Sequence, residues 1–322
     1  MNTADSVGSE TSSLGWLFFI SMFIHTLGML AFSLLSDKGF VLPVEVNLVA
    51  SELTILIPGV IYILIKRLDL RTDIGFRPIK PGTFFMCILL TLFVTPISSF
   101  VNVLSQLFVS NTMTQMSDTL LGGSGIVVWF LAAIYGPFCE EFVFRGIFNN
   151  RYEKYVGPLG AGLISAMLFG LAHMNVNQAA YAFVLGVIFS IINRAAGSIL
   201  PSLIIHICIN GSNMLLMFVM AGVAKSMGQQ ADLAAAAEAA RDSDLIYMMI
   251  AVTLIMAIIS TVIAIPCVVW IAKHEDNLEA LRDMFTKKHE KTGWLKISTV
   301  LGICFVLFVM FGLPIVLEKL NG

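Results

Sequence analysis

Charged residues are scarce in this chain of 322 amino acids. Only 12% of its residues are Asp, Glu, Lys or Arg, whereas 57% are hydrophobic. A soluble domain carries about 25% charged residues, so the composition excludes an ordinary soluble fold and indicates a polytopic membrane protein. We therefore expect the lipid bilayer as a partner and no nucleic acid.

Several familiar functional signatures are also missing. The sequence contains no glycine-rich phosphate-binding loop, no CxxC pair and no HExxH zinc motif. Its five cysteines all lie in apolar runs, which favours packing roles. The polar N-terminus lacks the basic region of a signal peptide, so we expect the first apolar run to be retained as a span.

Apolar runs dominate what is present. A bilayer-spanning helix needs about 20 residues, and nine runs approach or exceed that length: 14–35, 44–65, 82–104, 126–149, 159–174, 178–194, 198–221, 245–272 and 295–317. The fifth and sixth are short. We predict an all-α fold, a polytopic membrane helical bundle with about eight or nine transmembrane helices.

Basic residues concentrate in every second connector between these runs, for example Arg71 in the second and Arg151 in the fourth. By the positive-inside rule, these even-numbered connectors are cytoplasmic. The N-terminus is then cytoplasmic and the C-terminus external. We expect an integral membrane protein of a prokaryotic plasma membrane.

We divide the chain into three parts. Residues 1–81 form the N-terminal spans and a cytoplasmic connector, residues 82–222 form a helical core with the candidate motifs, and residues 223–322 form a connector and two further spans.

Three charges interrupt the fourth apolar run: Glu140, Glu141 and Arg145. Each charge at the centre of a membrane helix costs about 2.5–3.5 kcal/mol on insertion scales, so the group needs partners or a function. Glu141 and Arg145 are one helical turn apart and can neutralise each other. Glu140 points in a different direction. Pro137, just before it, lacks an N–H and should free the carbonyl of Ala133.

Polar residues also occur in two later runs. His173 closes the run from Phe169, and His206 and Asn210 are four apart on one helix face. Glu140 and His173 are nearly equidistant from the Gly157-Pro158 break, and Glu140 and His206 each lie roughly 14 Å from the cytoplasmic boundary by helix rise. We therefore predict that Glu140, His173 and His206 meet at one depth.

The chemistry of such a group is hydrolytic. A carboxylate and an imidazole can together remove a proton from water, and a second histidine with an amide can stabilise an oxyanion. The expected reaction is hydrolysis of a peptide bond. Zinc is the alternative, with Glu140, His173 and His206 as ligands. We favour the metal-free mechanism because HExxH is absent and Asn210 is a poor zinc ligand.

Together, the motifs Glu140-Glu141-Phe-Val-Phe-Arg145, Phe169-Gly-Leu-Ala-His173 and His206-Ile-Cys-Ile-Asn210 resemble those of a known family. It is the type II CAAX prenyl protease and bacteriocin-processing family of intramembrane endopeptidases, also called CPBP or Abi. The resemblance covers about residues 125–222. It implies an all-helical bundle whose site opens to the cytoplasmic half of the membrane.

The resemblance also implies roles for individual residues. Glu140 and His173 would activate water, and His206 and Asn210 would form the oxyanion site. Glu141 and Arg145 would be a supporting pair, and Phe169 would pack beside them. No cofactor is expected, except Zn²⁺ in the alternative mechanism.

Other functions compete with this interpretation. Membrane Glu and His residues also occur in proton-coupled transporters, and a non-proteolytic bacteriocin-immunity or scaffold protein could bind a peptide without cleaving it. The family's substrates include prenylated CAAX proteins, peptide pheromones and bacteriocin leaders. We expect a peptide or lipidated protein substrate, and the sequence does not select among these.

Overall fold

The computed structural model describes residues 3–227, 232–287, 293 and 295–321, and within them the chain is helical. The α-helices are α1 (Thr3–Asp37), α2 (Val44–Lys66), α3 (Pro81–Ser105), α4 (Thr112–Gln115), α5 (Ser117–Leu121), α6 (Gly125–Phe130), α7 (Gly136–Glu140), α8 (Asn150–Ala172), α9 (Val176–Ala196), α10 (Leu200–Ser226), α11 (Leu233–Arg241), α12 (Leu245–His274), α13 (Leu278–Thr286), α14 (Ile297–Leu307) and α15 (Leu313–Asn321). Three segments are π-helical: Leu131–Tyr135, Glu141–Asn149 and Phe308–Gly312.

Eight helical stretches among the described residues are long and apolar enough to cross a membrane. This confirms the predicted all-α polytopic membrane bundle. The longest stretch, Gly125–Ala172, joins the fourth and fifth predicted runs. It is broken at Gly157, whose backbone is non-helical (φ 74°, ψ 168°) just before Pro158. The predicted break is therefore present, and the difference between eight and nine spans depends on whether the two limbs are counted separately.

The even-numbered connectors meet at one end of the bundle. Lys80 pairs with Asp276 (Nζ–Oδ2 2.8 Å), which links the second and eighth connectors. Arg151 pairs with Asp73 at 2.9 Å, which links the fourth and second, and also with Glu10 near the N-terminus. These contacts agree with the alternation expected from the basic residues. That this end faces the cytoplasm stays a prediction.

At the other end, side-chain hydrogen bonds join α3 and α4 to the start of α9. Asn177 at the start of α9 donates to Asn102 Oδ1 of α3 at 2.7 Å. Thr112 of the short helix α4 donates to Asn175 Oδ1 at 3.0 Å. The short helix α4 is therefore tied to the residues that begin α9.

Two apolar clusters fill the interior. In the first, Phe144, Phe148 and Tyr152 stack at successive helical turns, with ring centroids 5.7 and 6.4 Å apart. The second lies between α3, α9, α10 and α12 and includes Phe189. The charged residues of the fourth run lie where the two clusters meet.

The ion pairs of Asp73 give the fold a testable pH dependence. Burial works to raise the pKa of this carboxyl, but the hydrogen bond from the backbone N–H of Asp69 and the cations Lys154 and Arg151 outweigh it, so the pKa lies below its ordinary value. A carboxyl with a depressed pKa in the folded state stabilises the fold above its unfolded pKa of about 3.9, and that contribution is lost as the pH falls through the folded value.

We expect Asp73→Asn to lower the stability of the purified protein at pH 7 by about 1 kcal/mol. The difference from wild type should shrink as the pH drops below about 4, because wild-type Asp73 is then protonated too. Melting temperatures in detergent between pH 3 and 7 would measure this. Asp37→Asn, at an exposed position at the opposite end, is the matched control and should melt like wild type. A gap between Asp73→Asn and wild type that does not change with pH would contradict the assignment.

Candidate active site

Irregular helix surrounds Glu140. It ends the single α-helical turn α7, with π-helical segments directly before and after it. The N–H of Gly136 donates to the carbonyl of Leu131, five residues back. In that register the carbonyl of Ala132 would need the N–H of residue 137, which is a proline and has none.

Asn210 supplies the missing donor. Its Nδ2 donates to the carbonyl of Ala132 at 3.2 Å. The π-helical register therefore shifts the orphaned carbonyl one residue from Ala133, where regular α-helix geometry placed it. One of the two amide N–H groups of Asn210 is engaged in this contact, and the other is left for a further acceptor.

The structure brings Glu140, His173 and His206 together from three helical elements. Glu140 Oε1 lies 3.8 Å from His173 Nε2, and Glu140 Oε2 lies 3.6 Å from His206 Nε2. Both distances exceed that of a direct hydrogen bond and are short enough for one water molecule to bridge the carboxylate and an imidazole. The three residues therefore lie at one depth in the structure, as the sequence predicts.

The other ring nitrogens set the orientation of both histidines. His173 Nδ1 donates to the carbonyl of Phe169 at 2.9 Å, and His206 Nδ1 donates to Glu141 Oε1 at 3.0 Å. Because a carbonyl or carboxylate oxygen can only accept, each Nδ1 carries the hydrogen. In the neutral form, each Nε2 then presents a lone pair to Glu140.

Glu141 and Arg145 form the predicted pair, and both side chains are fully buried. Arg145 Nε lies 3.3 Å from Glu141 Oε2. No hydrogen-bond acceptor among the described residues is aligned with the guanidinium nitrogens. Instead, the guanidinium carbon lies 4.1 Å from the ring centroid of Phe169 and 5.2 Å from that of Phe189. The cation is therefore held by one carboxylate and two aromatic faces.

Phe169 does more than fill space in this arrangement. Its ring contacts Arg145 and His173, its carbonyl orients His173, and its edge-to-face contact with His206 has a centroid distance of 6.0 Å. Phe189, its counterpart from α9, was missed by the sequence reasoning. An aromatic residue in an apolar run has no local sequence feature that distinguishes it from a residue that only packs.

A further carboxylate, Glu52 of α2, was also missed. Its Oε1 lies 3.5 Å from the position a Cβ would take on Gly136, one helical turn before Glu140. Charged residues inside an apolar run were the criterion that selected Glu140, Glu141 and Arg145, and the same criterion applied to residues 44–65 would have found Glu52.

Among the described residues, no group of three His, Cys, Asp or Glu side chains is arranged to hold a metal ion. The donor types of the zinc alternative are nevertheless those that zinc takes, two imidazole nitrogens and a carboxylate. Each Nδ1–H is donated to an oxygen, as is usual for metal-binding histidines. The zinc alternative therefore stays open beside the metal-free one.

These observations define an integral membrane protein of the all-α class with a carboxylate–imidazole site in its interior. Residues 122–212 match the model of a family described as type II CAAX prenyl endopeptidase Rce1-like. This match confirms the family resemblance drawn from the three motifs, all of which lie inside it. No curated protein and no solved structure matches the chain.

The tight packing around Arg145 gives a prediction. A Cβ on Gly186 of α9 would lie 2.8 Å from the Cα of Ala166 and 3.1 Å from Arg145 Nη2. We expect Gly186→Ala to destabilise the protein by about 1–3 kcal/mol, the usual cost of overpacking. Melting temperature in detergent is the measurement.

Gly222→Ala is the matched control, since a Cβ there meets nothing within 4 Å. It should leave the melting temperature unchanged or raise it slightly, because alanine favours the helix. Equal effects of the two substitutions would show that helix propensity, and not the space beside Arg145, decides the outcome.

Proposed function

We propose that this protein is an intramembrane endopeptidase that hydrolyses a peptide bond of a membrane-associated peptide or lipidated protein. The observation that supports this most is the convergence of Glu140 with two imidazole Nε2 atoms, at 3.6 and 3.8 Å, inside the segment that matches the endopeptidase family. Substrates of the CAAX type are the expectation from the family's description.

Glu140 and His173 are the water-activating pair. Both accept hydrogen bonds on the atoms that face each other, so a water between them is polarised by two acceptors at once. Glu140 takes one proton, and the resulting hydroxide attacks the carbonyl carbon of the substrate. The hydrogen bond of His173 to the carbonyl of Phe169 keeps its Nε2 lone pair directed at this point.

His206 and Asn210 are the donors for the oxyanion. The Nδ1–H of His206 is already given to Glu141, so donation from Nε2 requires the imidazolium form. The second N–H of Asn210 completes the pair. The two histidines thus act in different protonation states.

Breakdown of the tetrahedral intermediate returns the proton. Glu140 gives the proton taken from water to the leaving nitrogen, the C–N bond breaks, and the new carboxylic acid loses a proton as the released amine becomes an ammonium. The pairing of Glu141 with Arg145 supports this role for Glu140, because it leaves Glu140 without a cation of its own.

The first test is replacement of the base. We expect Glu140→Gln and His173→Ala to lower cleavage of candidate membrane peptides at least about 100-fold, the range attributed to a general base. Cleavage by membranes containing wild type, each variant and the control Glu238→Gln, followed by mass spectrometry, measures this. Normal cleavage by Glu140→Gln would rule out the assignment, and a transporter or silent binding protein would give no Glu140-dependent product.

The same assay with a chelator separates the two mechanisms. The metal-free mechanism predicts no change on addition of the chelator. Inhibition that added Zn²⁺ reverses would favour the alternative in which Glu140, His173 and His206 bind zinc.

The second test concerns the oxyanion. We expect Asn210→Ala to lower kcat about 100-fold while changing KM little, since the lost hydrogen bond forms mainly in the transition state. The melting temperature should fall only slightly, because the carbonyl of Ala132 loses its donor but lies beside the site, where water can replace it. A rise in KM with unchanged kcat would instead assign Asn210 to substrate binding.

A further inference from the structure

Glu52 is an acidic group that the proposed mechanism does not use. It lies in the middle of α2, inside a membrane-crossing stretch, and its Oε2 is buried without a hydrogen-bond partner among the described residues. Within the same residues it takes part in no ion pair. A buried carboxyl in this state is neutral while it holds its proton, and its charged form needs a cation beside it.

The surroundings of Glu52 are acidic or neutral. The charged group whose field acts on it is Glu140. The other titratable side chains that face it, Tyr135 and Cys139, are neutral as a phenol and a thiol. The cation Arg145 is already engaged by Glu141 and two aromatic rings. Glu52 and Glu140 together therefore favour a positively charged group beside them.

The position of Glu52 indicates which occupant that is. Its carboxylate lies against Gly136, and Gly136 is four residues before Glu140 on the same helix face. Gly136, which Glu52 contacts, and Glu140 are thus separated by about 6 Å of helix rise. In the proposed mechanism Glu140 returns its proton to the leaving nitrogen, which must come within hydrogen-bond reach of it. The nitrogen that becomes an ammonium then lies about one helical turn from the position where Glu52 meets this helix.

We propose that Glu52 and Glu140 together form a binding site for a primary ammonium group, the new amino terminus of the fragment released by cleavage. The identity of the ligand rests on the proposed function, whereas the existence of an ammonium site does not. Glu52 accepts hydrogen bonds from the ammonium while the acyl fragment lies toward His206 and Asn210. It thereby distinguishes the two sides of the cleaved bond.

The test uses simple probes and needs no known substrate. The full-length protein in detergent is titrated with L-leucinamide, which has a free α-ammonium, and with N-acetyl-L-leucinamide, which does not. Dissociation constants follow from ligand-dependent melting temperatures. Wild type should bind leucinamide at least about tenfold more tightly than the acetylated probe, as expected for a hydrogen-bonded charge pair.

Glu52→Gln should bind the two probes within about twofold of each other, because the charge is gone and the shape is kept. Glu45→Gln is the matched control and should keep the wild-type preference. Glu45 is a carboxylate on the same helix, and it accepts a hydrogen bond from the backbone N–H of Ser124, far from Glu140.

Glu52→Asp keeps the charge but has a side chain one methylene shorter. Its preference for leucinamide should lie between those of wild type and Glu52→Gln. If Glu52→Gln does not fold, Glu52→Asp replaces it in the test, and a preference equal to that of wild type would then count against the site.

Three results would overturn the proposal. They are a wild type without preference for the free amine, a preference that survives in Glu52→Gln, and a preference that EDTA abolishes and Zn²⁺ restores. The last would make Glu52 a metal ligand. The proposed function is tested by a different result. If Glu140→Gln still cleaves the substrate, the catalytic assignment is wrong, whatever the amine binding shows. If cleavage depends on Glu140 but wild type does not prefer the free amine, only the proposal for Glu52 is wrong.

Discussion

A charge inside a bilayer has to be neutralised by a close partner, and the centre of this molecule is organised by that requirement. Arg145 is fully buried, paired with Glu141 and enclosed by aromatic rings from α8 and α9. Removing one member of such a pair leaves the other unpaired, which typically costs about 3–5 kcal/mol. Glu141 in turn orients His206, which faces Glu140. The ion pair thus holds together two helices and one histidine of the site.

The irregular helix has a comparable effect on Asn210. A regular α-helix through residues 131–149 would satisfy its own carbonyls except for the one opposite Pro137. The π-helical register moves that unsatisfied carbonyl to Ala132, within reach of α10. A local defect in one helix therefore fixes an amide on another. Such segments are frequent at functional sites because they expose backbone groups that a regular helix conceals.

Much of this arrangement follows from the sequence, and the reasons are specific. The spans follow from hydrophobic length, and the meeting of Glu140 with His173 follows from two limbs of nearly equal length on either side of Gly157. The depth estimate assumed straight helices. It is nevertheless correct for Glu140 and His173 because it compares two helical stretches that meet at the same break. The π-helical segments have no sequence pattern of their own, and the first of them is completed by a donor from another helix, Asn210. The neighbours of Glu52 and Phe189 could not be predicted from the sequence either. Hydrophobic periodicity shows which face of a helix is buried, but not which other helix that face contacts.

Glu140 lies between two π-helical segments, and this limits how the chain can change in length. Each segment closes its hydrogen bonds over five residues instead of four, so it accommodates one residue more than a regular helix would. Deleting one residue from Leu131–Tyr135 would remove this extra residue and restore regular pairing, so Glu140 would keep nearly the same direction. Inserting a second residue would exceed what the segment accommodates and would turn every side chain beyond it by about 100°. Glu140 would then point away from both histidines although every motif residue remained. The segment therefore tolerates the loss of one residue better than the gain of one.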